Sequence, residues 1–342
     1  MRNYVLICGL ILLQCLPGCS SGPAVEEIVF HSGPFELVGD LKLPEGAGPH
    51  PAVVFVHGDG PNSRISGGTY PPLQERMLQA GYATFAWDKP GTGESRGEID
   101  RSRLVEQRAQ IVIDAIAVLK RHHSIDSTHI GLWGISQAGY VMPRVLEKSK
   151  DVAFMIAISC PGEPGVEQGA YLVASQARCA GLSEEEAAEI ERLVGDIERS
   201  TSYDEYVRLK TPLLRYDVLA DFNMYMGIRP EEEWHPPNFD GEYFFDPMTI
   251  VERTTIPVLA LFGEKDTQAD PYQGVRAYRS ALEKAGNKHC RVKLISGVDH
   301  NLIISETGCL EERNRRSASG WRNYPPEYLD LLEEWLEGLK GE

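Results

Sequence analysis

The chain has 342 residues, 42% of them hydrophobic and 25% charged, which is enough apolar material to bury a large core and too much for intrinsic disorder. Single cores stop growing at roughly 250 to 300 residues, so the length admits either one large α/β domain with an insertion or two ordinary domains. Fifty acidic against thirty-four basic residues give a formal charge of -16, which repels a phosphate backbone. The most basic run, Arg313 to Arg316, is interrupted by Asn314 and follows Glu311 and Glu312, so nucleic acid is not an expected partner.

In chain order, Arg2 precedes an apolar stretch from Tyr4 to Leu16, interrupted by Gln14, that ends in Leu16-Pro17-Gly18-Cys19. Residues 1–19 therefore have the layout of a signal peptide and are too short for a spanning helix, which needs about 20 apolar residues. Leu-x-Gly-Cys followed by Ser20, Ser21, Gly22 and Pro23 resembles the lipobox of bacterial lipoproteins. That resemblance implies acylation of Cys19 and an exported protein, periplasmic or anchored to a membrane only through this lipid. Pro17 is uncommon in such a box, and a cleaved signal without lipid is the alternative.

Residues 20–34 are expected to form a linker and a first strand. Residues 35–43 alternate imperfectly through Phe35, Leu37, Leu41 and Leu43 and end at Pro44-Glu45-Gly46, predicting an edge strand that runs into a turn. Short, continuously apolar runs follow at 52–56, 82–87, 130–133, 152–158, 257–262 and 291–295. Strands buried on both faces have this appearance, because helices cover both sides of a parallel sheet.

Leu73, Met77 and Leu78 predict a helix stopped by Gly81. Val105, Ile111, Val112, Ala115, Ile116 and Leu119 predict a longer one, and residues 137–148 a third. The alternation of strand and helix implies right-handed crossovers and one parallel sheet. The rhythm breaks over residues 160–248, where 184–193 and 203–219 are helix-like and 229–245 are rich in proline and aromatics. This stretch reads as a mainly helical insertion between two core parts, residues 35–159 and 249–342. Tyr203, Tyr206, Tyr216, Phe222, Tyr225, Trp234, Tyr243, Phe244 and Phe245 either line an acyl or aryl pocket under a lid or form the insertion's own core. For any one of them the core role is favoured. Residues 328–339 predict a packed terminal helix.

Four cysteines lie beyond the leader, Cys160, Cys179, Cys290 and Cys309. An oxidising compartment would permit disulfides, with three pairings between which sequence does not choose, and free buried thiols are as plausible. No Cys/His spacing points to zinc, and no metal or organic cofactor is expected.

The strongest chemical signal is Ile130-Gly131-Leu132-Trp133-Gly134-Ile135-Ser136-Gln137-Ala138-Gly139, a buried strand running through G-x-S-x-A-G into a helix. A nucleophilic serine on a sharp strand-to-helix turn requires this context, with small flanking residues because larger side chains would collide with the backbone. A serine hydroxyl needs a base, and the base needs an orienting acid. Asp266 follows the run at 257–262 in Gly263-Glu264-Lys265-Asp266, and His300 follows the run at 291–295 in Gly297-Val298-Asp299-His300. Glu264 and Asp270 are fallback acids. Either Asp266 or His300 alone would read as a loop carboxylate or a surface histidine; their joint placement after two strands makes coincidence a poor account. Backbone amides of Gln137 and of Gly58 or Asp59, in His57-Gly58-Asp59-Gly60-Pro61, are the candidate oxyanion donors. The Asp59 carboxylate should then face away or pair with Arg64. Asp88-Lys89-Pro90-Gly91-Thr92-Gly93-Glu94-Ser95 lacks dinucleotide-binding spacing and reads as a structural turn at the rim of the site.

The order H-G-x-G-P, D-x-x-G-x-G-x-S, G-x-S-x-A-G, G-x-x-D and D-H-N resembles bacterial α/β-hydrolase-fold proteins of the dienelactone hydrolase, acetyl-xylan esterase and prolyl-peptidase-related group. The resemblance spans residues 35–340 apart from the insertion. It implies an α/β-hydrolase fold with an eight-stranded, mostly parallel sheet and a catalytic triad carried onto Ser136, Asp266 and His300. The expectation is a serine hydrolase acting on a small-molecule carboxylic ester. Two other readings are a peptidase, using acidic residues such as Glu231 to Glu233 or Glu242 to hold an amino terminus, and a surface lipoprotein that binds ligand without turnover.

Overall fold

The computed structural model describes residues 24–218, 227–317 and 319–340. The leader with Cys19, and Phe222 and Tyr225 of the aromatic set, lie outside these. Eight strands, β1 (Ala24–Ser32), β2 (Phe35–Leu43), β3 (His50–Val56), β4 (Ala83–Trp87), β5 (Ile125–Ile135), β6 (Met155–Ile158), β7 (Val258–Gly263) and β8 (Cys290–Ile295), form one sheet in the order β1-β2-β4-β3-β5-β6-β7-β8. β1 pairs antiparallel with β2, and β2 antiparallel with β4; every other pair is parallel. The mostly parallel α/β sheet expected from the apolar runs is thus present.

Alternation along the central strands divides the core into two layers. Val54 and Val56 pack with α2 (Leu104–Leu119), α3 (Ala138–Lys148) and α8 (Pro271–Lys284), whereas Val53 and Phe55 pack with α1 (Tyr70–Gln79) and α10 (Pro326–Leu339). Each fully buried Val, Leu, Ile or Phe contributes about 1.5–3 kcal/mol, so both sheet faces are strongly anchored and the loops at the strand ends rest on a stiff base.

Three differences from the sequence expectations have physical causes. β2 is not an edge strand, because β1 covers it; Glu26 and Glu27 interrupt the apolar residues of β1. The helix expected over 203–219 is α6 (Tyr203–Lys210), followed by a tighter turn at Thr211–Arg215. Pro212 has no amide to donate to the preceding turn, so it disfavours continuation of the helix through this point. The third is a helix unannounced by periodicity, α4 (Gly165–Cys179), built from GVEQGAYLVASQARC, in which small and polar residues blur the apolar stripe.

α4, α5 (Glu184–Ile197) and α6 share their own core of Ala170, Val173, Ile190, Leu193, Tyr206 and Leu213 among others, with Tyr203 and Trp234 against it. A capping box between Ser183 and Glu186 opens α5. Among the contacts that fasten this segment to the sheet layers, two stand out. The Glu242 carboxylate accepts from the Val105 and Glu106 amides at the start of α2, each at 2.8 Å, a site favoured by the helix dipole. A disulfide joins Cys179, at the end of α4, to Cys309 across 130 residues, while Cys160 is a buried and Cys290 an exposed free thiol. Closing a loop of this length removes about 4–5 kcal/mol of unfolded-chain entropy. The double variant Cys179→Ser/Cys309→Ser is therefore expected to lose about 3–5 kcal/mol of unfolding free energy in denaturant titration; a midpoint unchanged from the oxidised protein would contradict this.

Candidate active site

The carboxyl ends of β3, β5, β7 and β8 and the loops after them meet at one edge of the sheet. At the end of β5, Ser136 has φ +58°, a left-handed conformation that costs a non-glycine residue energy and persists only where its surroundings enforce it. Here the Ser136 amide donates to the Ile158 carbonyl at 3.0 Å, and its carbonyl accepts from the Gly139 amide at 2.8 Å, holding the turn from β6 and α3. A Cβ on Gly134 would stand 2.7 Å from both Ala138 Cβ and Met142 Sδ, and one on Gly139 2.7 Å from Cys160 Cβ. The small residues flanking the serine are thus needed for close packing beneath it.

Asp266 and His300 sit in adjacent loops. Asp266 Oδ2 is 2.7 Å from His300 Nδ1, and Oδ1 accepts from the Gln268 and Ala269 amides at 2.7 and 3.0 Å. Both residues are buried, and three bonds satisfy the carboxylate that burial would otherwise penalise heavily. A Cβ on Gly263 would lie 2.2 Å from the Asp299 carbonyl oxygen, so only glycine lets the two loops approach. The fallback acids are engaged elsewhere: Glu264 accepts from Ser296 Oγ and the Gly297 amide, and Asp270 caps α8.

Ser136 and His300 line one cavity of 590 Å³, with Gly58, Asp59, Gly60, Asn62, Gln268, Asn301 and Arg313 among its other walls. Gly58 stands beside the serine, since a Cβ there would be 3.4 Å from Ser136 Cβ. Asp59 does not pair with Arg64: that guanidinium pairs with Asp40, Glu27, Glu94 and Asp88, which surround it more closely than the exposed Asp59 side chain. The described aromatics of the insertion are absent from the walls of this cavity. Tyr206 and Tyr216 are core residues, Tyr243 packs over Gly165 and Gly169 of α4, and Phe245 lies 3.7 Å from the Arg144 guanidinium.

The structure adds groups that the motifs did not announce. Tyr171 Oη donates to the Asp266 carbonyl at 2.8 Å, Gln168 to the Gln268 carbonyl at 2.6 Å, and Gln176 to Thr267 Oγ1 at 3.0 Å, so one face of α4 braces the acid loop. Behind the Gly58 loop, Lys89 and Arg108 are buried. Arg108 was legible as a cation on the apolar face of α2; nothing in the sequence marked Lys89 beyond its place in the Asp88 turn. In that turn the Asp88 carboxylate accepts from the Arg64 and Glu94 amides, the structural use expected of it.

A family model described as "Serine aminopeptidase, S33" matches residues 47–185. Solved structures with nearly coextensive matches include the Pyrococcus furiosus esterase Pf2001, at 15% identity over 92% of this chain and 93% of that one, TM-score 0.56. The chain has the α/β-hydrolase fold. Among curated proteins, Esterase EstD of Thermotoga maritima is 22% identical over 79% of this chain and 59% of its own length, so the chain spans less than two thirds of that relative. Thiohydrolase aneE of Aspergillus aculeatus is 31% identical over 37% of this chain and 38% of its own. These likenesses support a hydrolase.

Burial, reinforced by the nearby Arg108 and opposed by Asp59, lowers the Lys89 pKa to about 7. The unfolded chain holds this proton up to the ordinary lysine value, so between about pH 7 and pH 10.5 it binds more protons than the folded one and stability rises with pH. Relative to Lys89→Gln, the wild type should therefore gain unfolding free energy when denaturant titrations move from pH 7 to pH 9.5. A difference independent of pH would show that Lys89 keeps an ordinary pKa.

Proposed function

We propose that this protein is a serine hydrolase that cleaves carboxylic esters through an acyl-enzyme. Ser136 Oγ attacks the ester carbonyl as its proton passes to His300 Nε2. Amides of Gln137 and of Gly58 or Asp59 stabilise the oxyanion, and His300 returns the proton to the departing alcohol. Water then repeats the sequence on the acyl-enzyme. The observation that carries this reading is the Asp266–His300 hydrogen bond at 2.7 Å. With Nδ1–H donated to the carboxylate, Nε2 is left as the basic nitrogen of a residue that shares a cavity wall with Ser136. Likeness to the two esterases supports the ester assignment.

A peptidase reading draws on the description of the matching family model and needs a carboxylate for a substrate ammonium. Glu242 is committed to the start of α2, and Glu231–Glu233 form an exposed turn. Asp59 is the carboxylate among the residues lining the cavity. A panel of p-nitrophenyl esters, thioesters and aminoacyl anilides decides between them. Esters should turn over, Ser136→Ala should lower kcat by about ten-thousandfold or more, and a fluorophosphonate should label wild type alone. Anilides cleaved while esters are untouched would replace the ester assignment, and folded wild type that neither labels nor turns over would favour ligand binding.

We also read the protein as exported, with acylated Cys19 as its membrane anchor. The Cys179–Cys309 disulfide supports an oxidising compartment. Cys19→Ala should move the protein from the membrane to the soluble fraction; wild type found entirely in the soluble fraction would rule out the anchor.

A further inference from the structure

Lys89 and Arg108 are buried cations that do not line the cavity containing Ser136; they border a narrow recess on the other side of His57, with Val56, Trp87, Ile111 and Val112. Lys89 Nζ donates to the Gly58 carbonyl at 2.9 Å and to the Gly60 carbonyl at 2.6 Å. Arg108 donates through Nη2 to the His57 carbonyl and through Nη1 to the Gln137 side-chain oxygen. All these acceptors are neutral oxygens, and Asp59 is the carboxylate whose field reaches both cations. Burial lowers both pKa values, to about 7 for Lys89 and about 10 for Arg108, so each charge is held at a cost.

His57 between them is neutral. Its Nε2 donates to the Trp87 carbonyl at 2.7 Å, and Nδ1 accepts from Tyr70 Oη at 2.8 Å. Burial, Lys89 and Arg108 together push its pKa well below the ordinary histidine value. It adds no third charge and fixes the strand end from which the loop departs.

In a trans peptide the carbonyl of one residue and the amide of the next point in opposite directions. A carbonyl of His57 held by Arg108 therefore turns the Gly58 N–H away from the recess, and a carbonyl of Gly58 held by Lys89 turns the Asp59 N–H away. The opposite side of the loop is where Gly58 and Asp59 border the cavity and Gly58 adjoins Ser136. Arg108 also grips the side chain of Gln137, whose backbone amide is the other candidate donor, so a single guanidinium ties the two halves of the oxyanion site together.

We propose that Lys89 and Arg108 are positioning residues of the oxyanion site: from behind the loop they aim the Gly58 and Asp59 amides at the substrate oxygen, and the positive charge of Arg108 favours the negative charge that grows there. This rests on the serine-hydrolase reading. Preorganised dipoles backed by positive charge in a water-poor setting act on the transition state more than on the bound ester, so the effect belongs in kcat.

The test compares Lys89→Met with Lys89→Arg, and Arg108→Gln with Arg108→Lys, on a p-nitrophenyl ester that wild type turns over. Removing one oxyanion donor costs about a hundred- to a thousandfold, and misaiming it should approach the lower end. Lys89→Met is expected to lower kcat about a hundredfold with KM within about threefold. Affinity for a phenylboronic acid, whose serine adduct carries the oxyanion's charge, should fall in parallel. Lys89→Arg should recover most of the loss. Unchanged kcat in Lys89→Met, or losses as large in Lys89→Arg, would overturn the proposal. If Lys89→Met does not fold, the Arg108 pair decides by the same criteria. Wild type that fails both to turn over esters and to label with fluorophosphonate would sink the hydrolase reading itself and this inference with it. Normal labelling and turnover with insensitive variants would sink this inference alone.

Discussion

A 2.7 Å hydrogen bond between the buried Asp266 carboxylate and His300 sets the conditions the neighbouring structure has to meet. An ionised carboxylate removed from water is tolerated only when its oxygens are bonded, and the chain meets this with two backbone amides from its own loop and the imidazole from the next. The loops come that close because Gly263 and Gly308 carry no side chain: a Cβ on Gly308 would fall 1.7 Å from the Lys265 carbonyl oxygen. α4 adds bonds from Gln168, Tyr171 and Gln176, and the disulfide ties the end of α4 to Cys309, nine residues beyond His300. A segment that sequence suggested as a cover over the site is a brace for the acid loop.

A second set of constraints surrounds Ser136. Its left-handed backbone and the two buried cations behind the Gly58 loop are individually unfavourable. They persist because they rest on strands apolar on both faces, with helical layers above and below. The stability gained by burying those faces offsets local strain and desolvation at their carboxyl ends, where the loops are free to carry polar groups.

Legibility followed from how local each signal is. Runs such as 52–56 and 257–262 announced strands because burial on both faces removes polar residues from the segment itself. Ser136 was marked by Gly134 and Gly139, whose smallness reflects contacts with Met142 and Cys160. α4 escaped notice because its buried face is made of glycine, alanine and valine interleaved with the glutamines it uses as braces. A first strand was expected within residues 20–34, but its covering of β2 was not, because its outer face meets water and it carries no continuous apolar run. The aromatic residues of the insertion carried no local sign of their destination: most pack within that segment, and polar loop residues line the cavity instead.

By itself the sequence determined the α/β rhythm, the turn that bears Ser136, and the candidacy of Asp266 and His300, since each depends on residues adjacent in the chain. Only the tertiary structure decided that Asp266 rather than Glu264 or Asp270 meets His300, that Cys179 pairs with Cys309, and that Lys89 and Arg108 converge behind Gly58. These outcomes turn on distances of a few ångströms between residues tens to more than a hundred positions apart, set by strand order and by which glycines allow loops to touch. A one-dimensional pattern carries no such distances; packing supplies them.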